Sequence, residues 1–148
     1  LGAALSQIFT LDLALSRPGV RAVNYNYACP RVGNCAFVAL YQQQPAQQSP
    51  ATQTIRIQNW HDKVPCVPPQ GLGFAHTAPA LLVSFYKSTW DGIDLDFIVH
   101  DHSAVNYQAV LQCAASASGG VCVGEVEGNG YRVASQQPKT SGVCSLWS

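Results

Sequence analysis

Charge is the scarcest commodity in this chain: 8 basic and 8 acidic residues among 148, a net charge of zero and a charged fraction of 11%. So neutral a surface offers no electrostatic footprint for nucleic acid or for an anionic membrane. Methionine is absent, and residues 1–15, apolar as they are, lack the basic leading segment of a secretory leader and hold Gln7 and Asp12. No apolar run approaches the ~20 residues needed to cross a bilayer. None of the cysteines is paired at the two-residue spacing of a zinc knuckle.

What the chain does have is six cysteines, an even set at positions 29, 35, 66, 113, 122 and 144. Together with the low charge and the many Gln, Ser and Ala residues, they point to a secreted, disulfide-bonded protein whose pairing stays open. The length suits one domain with a real core.

Leu1, Leu5, Ile8, Leu11 and Leu15 recur at helical spacing, and Arg17-Pro18-Gly19 ends the run. Phe9 and Leu13 leave little polar face, so the helix is expected to be largely buried, and a buried helix starting at residue 1 suggests upstream sequence. Val20–Ala28 alternates as a strand. Asn34 can cap the helix that follows, which carries Phe37, Leu40 and Tyr41. Residues 42–52 read as a polar connection without structure of its own. Thr54–Gln58 alternates again as a strand, and Pro65, Pro68 and Pro69 then stiffen the loop that holds Asp62. Ala80–Tyr86 and Ile93–Val99 read as a strand pair joined through a turn, closed by His100-Asp101-His102-Ser103. A short amphipathic helix with Val105, Tyr107, Val110 and Leu111 comes next. Residues 113–148 lose periodicity and read as an irregular, Cys-rich tail pinned by disulfides, set against a first unit over residues 1–112. The sum is an α/β layer architecture.

Asp62 at the carboxyl end of one strand and a histidine after a later one could form an acid–base pair. The Asp would accept the imidazole Nδ1–H and fix its tautomer. Chain order in an α/β-hydrolase is nucleophile, acid, histidine, and Asp62 precedes His102. No Gly-x-Ser-x-Gly occurs among the 148 residues.

Several motifs in order then resemble the fungal-type class 3 (triacylglycerol) lipases. Leu1-Gly2-Ala3-Ala4-Leu5 looks like the stretch after the nucleophile of Gly-His-Ser-Leu-Gly. Cys29-Pro30-Arg31-Val32-Gly33-Asn34 looks like Ser-Pro-Arg-Val-Gly-Asn. Asp62-Lys63-Val64-Pro65, continuing to Pro68-Pro69, looks like Asp-x-Val-Pro-x-Leu-Pro-Pro, and Gly73-Phe74-Ala75-His76 like Gly-Phe-x-His. Asp101-His102, with Tyr107 beyond at a longer spacing, is similar to the family's Asp-His segment. The matches cover residues 1–111.

The resemblance implies the C-terminal part of an α/β-hydrolase sheet with flanking helices, and a serine esterase that needs no cofactor or metal. Its triad would be an upstream Ser, Asp62 and His102, with Leu1 as an oxyanion-hole donor. Its partners would be acylglycerol-type lipid esters at a lipid–water interface, together with the upstream segment of the same domain, without which the 148 residues are expected to be inactive. Asp62 outweighs a mere turn-capping role, and His102 is preferred over His100 as the base. His61 reads as a solvated neighbour, His76 as a loop histidine bonding backbone, Arg31 and Asn34 as turn and cap residues. A Cys29–Cys35 bridge is one conceivable pairing. Two other classes compete: a metal site built from His100, His102 and Asp62, and a non-catalytic lipase-derived module that binds lipid or a partner.

Overall fold

The strand expected around Thr54–Gln58 is the middle of the parallel part of the sheet. The computed structural model describes residues 1–20, 22–47, 53–85, 96–116, 123–126 and 129–132. Among these, α1 (Gly2–Ser16) leads to β1 (Val23–Tyr27), a two-residue strand β2 (Gly33–Asn34) and α2 (Cys35–Gln47). Next come β3 (Gln53–Asn59), β4 (Phe74–Ala75) and β5 (Ala80–Phe85). Two helices, α3 (Asp96–Asp101) and α4 (Ala104–Ser116), precede β6 (Val123–Val126) and β7 (Asn129–Arg132). The main sheet runs β1-β3-β5-β7-β6, with β1, β3 and β5 mutually parallel and β7 and β6 antiparallel to what they join. This is a mixed α/β fold whose parallel strands are flanked by helices, as expected.

Alternation along β3 gives the sheet two unlike faces. Ile55 and Ile57 meet α4, where Ala28, Val83, Phe85, Tyr107 and Val110 complete the apolar core. Phe85 and Tyr107 pack edge to face there, centroids 5.0 Å apart. On the other face Thr54 bonds the Tyr41 hydroxyl of α2, and the buried Arg56 donates to the Ala78 carbonyl at 2.6 Å. One face is oil and the other is amides and a guanidinium.

Helix α1 does form, but its burial runs against expectation. Gln7, Thr10, Leu11 and Ala14 are its buried residues, while Leu1, Leu5, Ile8, Phe9 and Leu15 are exposed. The reason is what it packs on: β1 turns Asn24 and Asn26 inward, and Ser6 Oγ donates to Asn24 Oδ1 at 3.2 Å. Val23, Tyr25 and Tyr27 are the exposed side of β1.

Asn34 caps α2 as expected, its Oδ1 accepting the Phe37 N–H at 3.0 Å. The helix then continues to Gln47, through residues expected to be unstructured, because Gln42 reaches the Thr77 carbonyl and Gln44 the Leu40 carbonyl, each at 3.0 Å. Residues 48–52 lie outside the described residues.

Two further expectations are corrected. Ile93–Val99 is not a strand over its described part, since residues 96–101 form α3; residues 93–95 lie outside the described residues. A short apolar run cannot by itself choose between helix and strand. The described residues beyond 112 are not irregular, since α4 runs on to Ser116 and β6 and β7 extend the sheet beside β5; residues 117–122, 127–128 and 133–148 of the expected tail lie outside the described residues. Cys35 and Cys113 are disulfide-bonded. Cys29 is a buried free thiol, so the Cys29–Cys35 bridge does not form, and Cys66 is an exposed one.

Candidate active site

The site starts where β3 ends. Asn59 closes the strand, Trp60 and His61 turn, and Asp62 points back into the protein with its side chain fully buried. Asp62 Oδ1 accepts the Val64 N–H at 2.8 Å, the local closure by which an Asp shapes a turn. Val64–Cys66 is one turn of 3-10 helix with Pro65 inside it, where a missing N–H costs nothing.

Residues beyond the loop then tie it down. Arg31 receives its hold through the backbone, N–H to the Val67 carbonyl at 2.9 Å, and its Nη1 donates to the Cys66 and Pro68 carbonyls, the latter at 2.9 Å. One guanidinium nitrogen thus gives both of its N–H donors to the loop. His76 Nε2 lies 3.0 Å from the Pro65 carbonyl. Burial, followed by the charges of Arg56 and Arg31, lowers the His76 pKa to about 3. The ring is therefore neutral at ordinary pH and Nε2–H is the donor. The motif residues Gly33-Asn34 and Phe74-Ala75 pair antiparallel as β2 and β4, joining the segments that carry Arg31 and His76. Arg31 and His76 are thus scaffold, and Asn34 a cap, as the sequence suggested.

His102 arrives from the other side of the chain. Helix α3 stops at Asp101, the Ser103 N–H returns to the His100 carbonyl at 3.1 Å, and α4 begins at Ala104. That tight turn aims the ring so that Nδ1 stands 2.8 Å from Asp62 Oδ2. The His102 side chain keeps 37% of its surface exposed, and Nε2 is on the ring edge away from Asp62. His100 lies elsewhere: it is buried, with Nδ1 3.3 Å from its neighbour Asp101. Its backbone carbonyl also accepts the Asn106 side-chain amide at 2.9 Å. The two imidazoles therefore serve different carboxylates, and among the described residues no three His, Cys, Asp or Glu side chains converge on a metal position.

A third donor was visible in sequence only as a motif letter. The fully buried Tyr107 hydroxyl donates to Asp62 Oδ2 at 3.1 Å and accepts the Asn59 N–H at 2.6 Å. Burial, with the nearby carboxylate adding to it, pushes the phenol well above its ordinary range, so it remains a donor. Asp62 thus accepts hydrogen bonds from Val64, Tyr107 and His102. Leu1 sits 85% exposed at the start of α1, its carbonyl accepting the Ala4 and Leu5 N–H groups. No hydrogen bond among the described residues links it to the Asp62–His102 pair. Chemically, the arrangement is an imidazole held by a buried carboxylate through Nδ1, leaving Nε2 to exchange a proton with whatever approaches.

Comparison with a family model agrees with the motifs up to residue 72. Residues 1–72 match the family model described as Lipase (class 3), so the resemblance holds across the segments of Arg31 and Asp62; His102 lies beyond it. Among solved structures, the chain is similar to a mutant form of MDLA from Penicillium cyclopium, at 23% identity and a TM-score of 0.48, over 70% of this chain. The chain spans only 38% of the length of that protein. Comparison with curated protein sequences gives no match.

Proposed function

We propose that Asp62 and His102 are the acid and base of a serine-hydrolase triad that cleaves carboxylic esters of acylglycerol-type lipids. The observation that carries this reading is the 2.8 Å contact between His102 Nδ1 and the buried carboxylate of Asp62. The nucleophile, a serine of the upstream segment, would give its Oγ proton to His102 Nε2 as Oγ attacks the ester carbonyl. The imidazolium would then protonate the leaving alcohol, and water would hydrolyse the acyl-serine by the reverse proton path. Asp62 would hold the tautomer throughout, and the Leu1 N–H, within a continuous chain, would face the oxyanion. No cofactor enters these steps. Secretion belongs to the same proposal, supported by the low charge and by disulfides at Cys35 and Cys113.

The test is ester turnover on p-nitrophenyl butyrate and tributyrin by the gene product that includes these residues and the serine ahead of them. Asp62→Asn and His102→Gln should each lower kcat by about a thousandfold or more while the protein stays folded. The 148 residues alone should be inactive. Turnover by those residues alone that survives replacement of every serine would sink the proposal. Lipid binding with no turnover in any form would favour the non-catalytic module instead.

A further inference from the structure

The carboxylate and the imidazole come from segments forty residues apart, and one side chain touches the supports of both. Asn59 is 0% exposed and uses its whole amide. Its Oδ1 accepts the Phe85 N–H at 3.1 Å and the His61 N–H at 3.4 Å. Its Nδ2 donates to the Phe85 carbonyl at 2.8 Å and to the Asp101 carbonyl at 3.0 Å. Two donors and two lone pairs are all engaged, the full capacity of a primary amide.

The placement of those four partners matters. The ladder between β3 and β5 ends with Asn59 opposite Val83, and the Trp60 N–H adds a last bond to the Val83 carbonyl at 2.9 Å. The Asn59 side chain then pairs with both backbone groups of Phe85, fixing the end of β5 as an extra rung would. Its remaining acceptor site holds His61, the residue before Asp62. Its remaining donor holds Asp101, the residue before His102. The Asn59 backbone N–H also ends on the Tyr107 hydroxyl that touches Asp62.

We propose that Asn59 is a positioning residue that sets the separation of Asp62 and His102 by clamping residues 61 and 101 with one buried amide. The claim rests on the catalytic reading of that pair for its functional meaning, but not for its structural content. A short directional hydrogen bond between two loops is held only as well as the loops are, and a displacement of about 1 Å at a reacting group costs about a hundredfold in rate. An aliphatic replacement would leave the Asp101 and Phe85 carbonyls and the Phe85 N–H without their buried partner.

The experiment compares Asn59→Ala with Val83→Ala, a core truncation on β5 that removes none of the Asn59 side-chain hydrogen bonds. Both variants lose stability. The Nδ1–H proton resonance of His102 should be broadened or lost by faster exchange in Asn59→Ala and retained in Val83→Ala. In the serine-containing protein of the proposed function, Asn59→Ala should lower kcat by about tenfold to a hundredfold with KM within about twofold, whereas Val83→Ala should leave both near the unsubstituted values. An unchanged His102 resonance in folded Asn59→Ala, or equal loss of it in Val83→Ala, overturns the proposal. Should Asn59→Ala not fold, the unsubstituted protein decides: scalar coupling through the hydrogen bond from Asn59 Nδ2 to the Asp101 carbonyl carbon is expected, and its absence overturns the clamp. If Asp62→Asn leaves turnover intact, the catalytic reading fails while the resonance and coupling results still judge the clamp.

Discussion

Tyr107 and Asp62 are joined by a buried hydrogen bond of 3.1 Å, in which the phenol donates to the same carboxylate oxygen that His102 reaches from 2.8 Å. The phenol oxygen also receives the Asn59 N–H, so one hydroxyl links the end of β3 to the carboxylate it presents. Its ring meanwhile fills the core against Phe85. Stability and site geometry are therefore carried by one residue.

That double duty can be separated by Tyr107→Phe. The ring and its packing remain, while the Asn59 N–H loses its acceptor and Asp62 one donor. Leaving a buried donor unsatisfied costs about 1–3 kcal/mol, which urea unfolding will read as a lower midpoint at unchanged slope. An unaltered midpoint would show that water or a neighbour replaces the hydroxyl, and that the bond is not a stabilising one.

The meeting of Asp62 with His102 was legible through the lipase-like motifs, and much of the scaffold through local chemistry. Alternation marked β3, prolines marked the rigid loop after it, and Asn34 before an apolar stripe marked a cap. Burial of α1 was not legible, because a helix apolar on nearly every side has no preferred face of its own. Its neighbours chose Gln7 and Thr10 for burial over Leu5 and Phe9. The role of Asn59 was equally hidden: nothing about an asparagine at the end of a strand reveals that Asp101, 42 positions away, will meet it. The strand misread at Ile93–Val99 failed for a related reason, since so short an apolar stretch fits either period.

His76 ties stability to pH. Its folded-state pKa, lowered to about 3 by burial and by Arg56 and Arg31, lies below the ordinary histidine value of 6.5. The unfolded chain binds the proton and the folded one refuses it, so the contribution is intact above pH 6.5 and is lost as pH falls towards 3. The slope is up to about 1.4 kcal/mol per pH unit in that window. His76→Gln keeps a donor for the Pro65 carbonyl but does not titrate. Unfolding free energies measured at pH 4.0 to 7.0 should therefore fall less steeply in the variant. Parallel curves would mean that His76 takes up its proton without unfolding.

Gly33 is required by space. A Cβ placed there would stand 2.5 Å from Phe37 Cγ and 2.6 Å from Phe37 Cβ, near the root of that side chain and not at a flexible tip. Gly33→Ala must therefore displace the first turn of α2, which Asn34 caps, and disturb the β2–β4 pairing that joins the Arg31 and His76 segments. A loss of about 1–3 kcal/mol is expected. Gly71→Ala, where no atom lies within 4 Å of the added carbon, is the control and should change little. Equal melting temperatures for the two variants would refute the steric account.

The two free thiols among the described residues should differ sharply in reactivity. Cys66 is exposed on the loop between Asp62 and Pro68, whereas Cys29 is buried. Burial raises the Cys29 pKa to about 11, against the smaller opposing effect of Arg56. Since the thiolate is the nucleophile, Cys29 is disfavoured twice, by access and by ionisation. Iodoacetamide at pH 8 should alkylate Cys66 and spare Cys29 in the folded protein, and should alkylate both of them in 6 M guanidinium, as peptide mass mapping will report. The Cys66 adduct also tests the loop: Arg31 holds its backbone carbonyl and not its sulfur, so alkylation should leave the His102 Nδ1–H resonance in place. Modification of Cys29 at a rate matching Cys66 would show that the turn after β1 opens without unfolding, and that the Arg31 clamp is looser than its hydrogen bonds imply.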